Sequence, residues 1–189
     1  MTAQLAPAPF ISLEEYFAGE DLTDERHEYS NGQVVKMGGA SDEHELVVGE
    51  IFAAIHAHLK GKPCNVTPSN LKLKLELNHA DLVYYPDAMV WCDPADNERL
   101  FKTSPRVIVE VMSDYKKDHV EKLFAYQQVA SLEDYLIIDQ NFDEPQAWIY
   151  RRATNWDQER IEPGGVITLP SIEFSIPLDE LYADRPARA

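Results

Sequence analysis

The order of hydrophobic periodicities along the chain predicts an α/β or α+β fold, a single domain in which a mixed β-sheet carries helices on its faces. Two observations lead there. Stretches with the three- and four-residue apolar spacing of a helix interleave with stretches that alternate, or run continuously apolar, as strands do. The chain has 189 residues, 44% of them hydrophobic, enough for one core that needs no metal or disulfide to hold it.

Residues 1–10 read as a disordered lead, 11–182 as the domain and 183–189 as a tail. Ser12 with Glu15 three residues on forms a capping box for a short helix ending near Gly19. His27–Ser30 and Gln33–Met37 flank Asn31-Gly32, the dipeptide that tolerates the two positive φ angles of a type I′ turn, which predicts a hairpin. Ser41 or Asp42 caps a second helix whose apolar stripe is Val48, Ile51, Phe52, Ile55 and Leu59, stopped by Gly61 and Pro63. Leu71, Leu73, Leu75 and Leu77 alternate with polar residues in a half-exposed strand, and Leu82–Trp91 reads as a more central one. Arg106–Met112 is a buried strand, and 116–129 a helix with its apolar spacing through Val120, Leu123, Phe124 and Gln127. Tyr135–Asp139 and Ala147–Arg151 are further strands, and the proline-cut segment from Val166 to Leu181 supplies edge strands and irregular packing.

The formal charge of −16 argues against a broad polyanion-binding surface and leaves room only for a local cationic groove. Lys60, Lys62, Lys72 and Lys74 form an acid-free run, and Lys72 and Lys74, two apart on a strand, can make a basic stripe for nucleic acid or guard an exposed edge. Cys64 and Cys92 have no CxxC partner and read as small buried hydrophobes rather than a disulfide framework. No apolar run approaches the roughly 20 residues of a membrane span, and the N-terminus lacks the basic residues of a secretory signal, so the expected location is cytoplasmic, with no membrane partner.

The informative residues are acids that interrupt apolar strands. Glu110 is the one charge in Val107–Met112, and an unpaired buried carboxylate costs several kcal/mol, so a cation must sit nearby. Asp87 follows Pro86, which cannot donate to a β-ladder and therefore marks an edge, a bulge or a bend; such a bend can aim both carboxylates at one spot. Two carboxylates and a main-chain carbonyl are hard oxygen ligands of the kind Mg²⁺ prefers. Lys122, on the following helix, can fold back over the end of the strand, position an attacking water and stabilise developing negative charge. The bland alternatives are a buried ion pair of these acids with Lys122 or Arg106, and an ordinary helical Asp118–Lys122 pair.

Pro86-Asp87 followed by Glu110-Val111-Met112-Ser113 resembles the PD-(D/E)XK nuclease superfamily. More closely, the chain from near residue 10 to near 182 resembles the Uma-type family of putative restriction endonucleases. The matching segments are Glu28–Val34, His44 at the opening of the second helix, Tyr85–Ala88, Pro105–Ser113, Asp118–Lys122 with Tyr126, and Glu133–Asp139. The order and spacing of these segments carry the resemblance, since each alone is weak.

The resemblance implies a restriction-endonuclease-like fold and hydrolysis of DNA phosphodiesters by an activated water. Asp87, Glu110 and the main-chain carbonyl of Val111 would hold Mg²⁺ or Mn²⁺, with Lys122 orienting the water and Glu28 joining the site. His44 is a possible accessory. Two departures stand out: Met112 occupies the position where the superfamily's third motif ends in lysine, so that role passes to Lys122, and Asp118-His119 replaces the family's frequent Asp-Arg. Glu28 can alternatively pair with Lys36 across the hairpin. An active enzyme cutting both strands is expected to be a homodimer. The competing readings are a catalytically silent nuclease fold used for binding or dimerisation, and a hydrolase of a small phosphate ester.

Overall fold

The structure is a computed structural model that describes residues 9–77, 80–112 and 118–184, without the side chains of 118–121. The elements in chain order are α1 (Leu13–Glu20), β1 (His27–Ser30), β2 (Gln33–Lys36), α2 (Asp42–Leu59), β3 (Asn65–Pro68), β4 (Lys72–Leu77), β5 (Ala80–Tyr84) and β6 (Ala88–Trp91). They continue with β7 (Phe101–Lys102), β8 (Pro105–Met112), α3 (Asp118–Gln127), β9 (Asp134–Asp139), β10 (Ala147–Arg151), β11 (Gln158–Ile161), β12 (Val166–Leu169) and β13 (Phe174–Pro177), with short 3₁₀ turns between and after the last strands. The expected mixed α+β class is what forms, as two larger sheets and one hairpin: β2-β1-β5-β4-β7, β11-β10-β9-β8-β6-β3, and β12-β13.

The local signals operate as chemistry dictates. Ser12 and Glu15 exchange the reciprocal hydrogen bonds of a capping box at α1, and Ser41 Oγ accepts the His44 amide at 3.2 Å to cap α2. Asn31 and Gly32 take φ of 44° and 89°, the pair of positive angles the hairpin turn requires. At Gly32 a side chain is excluded twice over, because the ring of Phe10 lies against the position a Cβ would occupy. Phe10 belongs to the lead expected to be disordered; residues 1–8 and 185–189 lie outside the described residues.

Leu82–Trp91 is not one strand. β5 pairs with β1 and β4 in the first sheet, whereas β6 pairs with β3 and β8 in the second. Pro86 has no N–H to offer a ladder, so the chain turns from one sheet to the other there, and Asp87 sits at the corner. β8 and β9 run parallel, which requires a crossover, and α3 supplies it.

Strand alternation decides what each face of β8 meets. Val107, Val109 and Val111 join a core with Val48, Ile51, Ile55 and Leu59 of α2 and with the C-terminal elements. On the other face, Ile108 joins a core with Leu73, Leu75 and Tyr84 from the first sheet and Ala125, Tyr126 and Val129 around α3. The buried side of α3 thus differs from the expected stripe: Phe124 is 64% exposed while Tyr126 is fully buried. No described helix is long and apolar enough to cross a membrane.

Cys64 and Cys92 form a disulfide, correcting the expectation of two separate buried thiols. Sequence distance was misleading: Asn65 lies opposite Trp91 in the β3–β6 ladder, so the cysteines are the next facing pair. The bridge closes a 28-residue separation, worth about 3.5 kcal/mol through the unfolded state. Cys64→Ala/Cys92→Ala is expected to lower the urea-unfolding free energy by that amount, and added reductant to lower the wild type equally; no change in either would show that the thiols are unbridged in solution.

Candidate active site

The corner at Asp87, the end of β8 and the hairpin meet at a cleft of about 650 Å³ that is also lined by Arg26, Gly38, His44, Ser69, Lys122 and Gln140. Ala88 pairs with Val109 as β6 begins, which places Asp87 beside Glu110. The missing ladder bond is replaced by a side chain: Asp87 Oδ2 accepts the Val111 amide at 2.8 Å and lies 3.2 Å from His44 Nε2. The Met112 carbonyl accepts from the Gln140 amide on the β9 side at 3.0 Å. Alternation therefore turns the Val111 N–H and C=O together toward the side β6 has vacated.

Glu110 emerges on the α3 face. Its Oε1 accepts from Tyr126 Oη at 2.8 Å and lies 3.4 Å from Lys122 Nζ. Lys122 and Tyr126 stand one helical turn apart and so present the same face. Glu28 arrives from β1, with Oε1 2.9 Å from Lys122 Nζ but angled so that this buried oxygen lacks a hydrogen-bond donor. The Lys122 ammonium also sits 5.3 Å from the Tyr84 ring centroid. Glu28 does not pair with Lys36, which contacts Glu25 at 2.5 Å instead.

Two carboxylates thus contact one ammonium, and Asp87 adds a nearby negative charge. Burial, above all, pushes the Glu110 carboxyl up to about 7; Lys122 opposes the shift, and the nearby Asp87 and Glu28 charges add to it. For Lys122, burial favours losing the proton, but Glu110 and Glu28 outweigh it and hold the amine above its ordinary range. Lys122 is therefore a fixed cation and hydrogen-bond donor, not a base. Burial and the adjacent Glu110 likewise raise Tyr126, which stays a neutral donor. The hydrogen bond to Asp87 raises His44 against the effect of burial.

Tyr126→Phe removes one of the donors holding Glu110. It is expected to cost about 1–2 kcal/mol in urea unfolding at neutral pH and less at pH 5, where Glu110 is protonated; an equal loss at both pH values would show that the hydroxyl does not serve the carboxylate.

Of the residues singled out from sequence, Asp87, Glu110, Lys122, Glu28, Val111 and His44 come together here. Lys72 and Lys74 do not line the cleft: Lys72 lies 5.4 Å from the Tyr85 ring centroid, and Lys74 pairs with Glu76 at 2.6 Å. The Asp118 and His119 side chains lie outside the described residues, as does Ser113. Sequence reasoning gave no role to Arg26, Ser69 or Tyr126. The period-two spacing of Arg26 from Glu28, and the four-residue spacing of Tyr126 from Lys122, were the available signals.

This arrangement, a β-strand carrying the acid, a crossover helix over it and a second acid at a sheet corner, defines a restriction-endonuclease-like fold. A crystal structure of a putative nuclease belonging to DUF820 from Anabaena variabilis superposes with a TM-score of 0.72 at 16% identity, over 92% of this chain and 98% of that one, a likeness of fold. Residues 13–179 match Uma2, described as putative restriction endonuclease, and the chain belongs to that family. Two proteins of Synechocystis sp. PCC 6803, both uncharacterized, are similar throughout most of their length: slr1290 at 31% identity over 94% of each chain, and sll1609 at 25% over 72% of this chain and 78% of the other.

Proposed function

We propose that this protein hydrolyses DNA phosphodiesters at the cleft with a bound Mg²⁺ or Mn²⁺. The observation that carries the reading is that Glu28 and Glu110, from separate strands, share the ammonium of Lys122, while Asp87, at the sheet corner, lies beside Glu110 in the same cleft. Among the described residues, no three His, Cys, Asp or Glu side chains form a group able to hold an ion unaided. The donor set fits a hard dication that keeps several waters and uses one or two carboxylates. Asp87, Glu110 and the Val111 carbonyl would hold it, and the surplus negative charge gives it an electrostatic reason to bind.

When bound, the metal supplies Lewis-acid activation of water and neutralises charge on the phosphoryl oxygens. The chain's own groups do the remaining work. Lys122 donates to the attacking water and faces the charge that develops in the transition state. Glu28 holds that ammonium together with Glu110. His44 and the Val111 amide both engage Asp87 Oδ2, which fixes the carboxylate plane and leaves Oδ1 for the cleft. Cutting both strands of a duplex would take two copies related by symmetry.

The test is cleavage of plasmid and single-stranded DNA with Mg²⁺ or Mn²⁺, alongside calorimetric titration with Mn²⁺, for wild type, Asp87→Asn and Glu110→Ala. Divalent-dependent cleavage lost in both variants is expected. Metal binding without DNA cleavage would favour a small phosphate ester as substrate. Failure to bind metal would favour a catalytically silent fold, the reading that Met112 at the superfamily's lysine position and the −16 charge support.

A further inference from the structure

We infer that Arg26 is a phosphate-binding residue of the cleft, gripping a backbone phosphate of the substrate strand next to the one that is cut. The inference rests on the nuclease reading and adds a substrate contact to it. Arg26 precedes β1 and extends its ladder, since the Met37 amide donates to the Arg26 carbonyl at 2.9 Å. Strand alternation then gives Arg26 and Glu28 the same face, while His27 and Tyr29 turn the other way, toward Glu20 and the Ile11 carbonyl.

The arginine and the lysine lining the cleft are in different situations. Lys122 is committed to Glu28 and Glu110. Arg26 has no carboxylate within 4 Å among the described residues; Nη1 donates to the Ser69 carbonyl at 2.8 Å, and its remaining N–H groups have no protein acceptor there. In a chain of net charge −16, an unpaired guanidinium beside a cluster of acids is placed where an anion from outside can meet it.

The anchor also fixes its position relative to the acids. Ser69 donates through both its amide, at 3.0 Å, and its hydroxyl, at 3.2 Å, to the Asp87 carbonyl. Arg26 is thus two hydrogen-bonded steps from the backbone of Asp87, and a guanidinium held at one nitrogen keeps a planar edge for a bidentate phosphate contact. A Cβ added to Gly38 or Gly39 would meet nothing within 4 Å, so the adjoining lip is open at both glycines.

The test uses fluorescence anisotropy of a labelled 12-nucleotide single strand with Ca²⁺ in place of Mg²⁺, over a series of NaCl concentrations, for wild type, Arg26→Gln and Arg26→Lys, with Mn²⁺ titration of each. Glutamine can still donate to the Ser69 carbonyl but carries no charge. Arg26→Gln is expected to bind the strand about 5- to 10-fold more weakly with the slope of log K against log[salt] shallower by about 0.7, one phosphate contact, while Mn²⁺ affinity stays that of wild type. Arg26→Lys should keep the slope and lose part of the affinity. Wild-type affinity and slope in Arg26→Gln would overturn the assignment, as would an equal weakening of Mn²⁺ and oligonucleotide, which would make Arg26 a brace for Asp87. If wild type binds Mn²⁺ but not the strand, the nuclease reading itself falls, and this inference with it.

Discussion

Lys122→Met should reduce divalent-dependent DNA cleavage by about 10³-fold, the scale expected when a preorganised charge facing the transition state is removed, while Mn²⁺ binding is kept or tightened. The second half separates roles: a cation paired with Glu110 and Glu28 competes with a metal for Glu110, so its removal helps metal binding even as chemistry is lost. The same variant reports on the buried pair. With no ammonium beside them, Glu110 and Glu28 keep uncompensated charge, a loss of about 3–5 kcal/mol for a broken buried pair. Protonation relieves it, so the metal-free variant should lie closest to wild type at pH 5 and furthest below it at pH 8. Cleavage within threefold of wild type would remove Lys122 from the mechanism.

Mn²⁺ affinity should rise steeply between pH 5.5 and 8, because the metal needs Glu110 as a carboxylate and burial holds its carboxyl at about 7. With that midpoint, the ionised fraction climbs from about 3% to about 90%, a gain in affinity of about 30-fold. Calorimetry in two buffers of different ionisation heat should count close to one proton released at pH 5.5 and almost none at pH 8.5. Stability of the metal-free protein should run the other way. A carboxyl whose folded pKa lies above its unfolded value stabilises fully below the unfolded value of 4.5, and that contribution is lost as pH rises through about 7. Glu110→Gln should flatten both profiles; a wild-type Mn²⁺ affinity that is flat across this range would remove Glu110 from the metal set.

The parts of this molecule that follow from neighbouring residues are legible in the sequence. The capping box at Ser12, the Asn31-Gly32 turn and the apolar stripe of α2 are local, so a few residues determine them. Asp87 and Glu110 stood out because a charge in an apolar strand demands compensation wherever the strand lies. The partners of those charges were harder. Opposite charges across a hairpin suggest pairing of Glu28 with Lys36, yet Glu28 faces Val35 and Lys36 faces His27, which puts the two side chains on opposite faces, and with the hairpin joined to β5 Glu28 reaches Lys122. The stripe on α3 was misjudged through Phe124 because Glu110 draws the polar residues Lys122 and Tyr126 inward, and hydrophobic periodicity cannot register a polar interior.

From the residues alone came the class of fold, the acids that had to be answered by a cation, and the helix from which that cation comes. These depend on local periodicity and on the cost of burying charge, which hold in any arrangement of the chain. Only the packed molecule decided that Pro86 divides one apparent strand between two sheets, that Cys64 faces Cys92, and that Arg26 shares a cleft with Asp87. Each of those depends on ladder register between segments distant in sequence, and register emerges when whole surfaces are buried together.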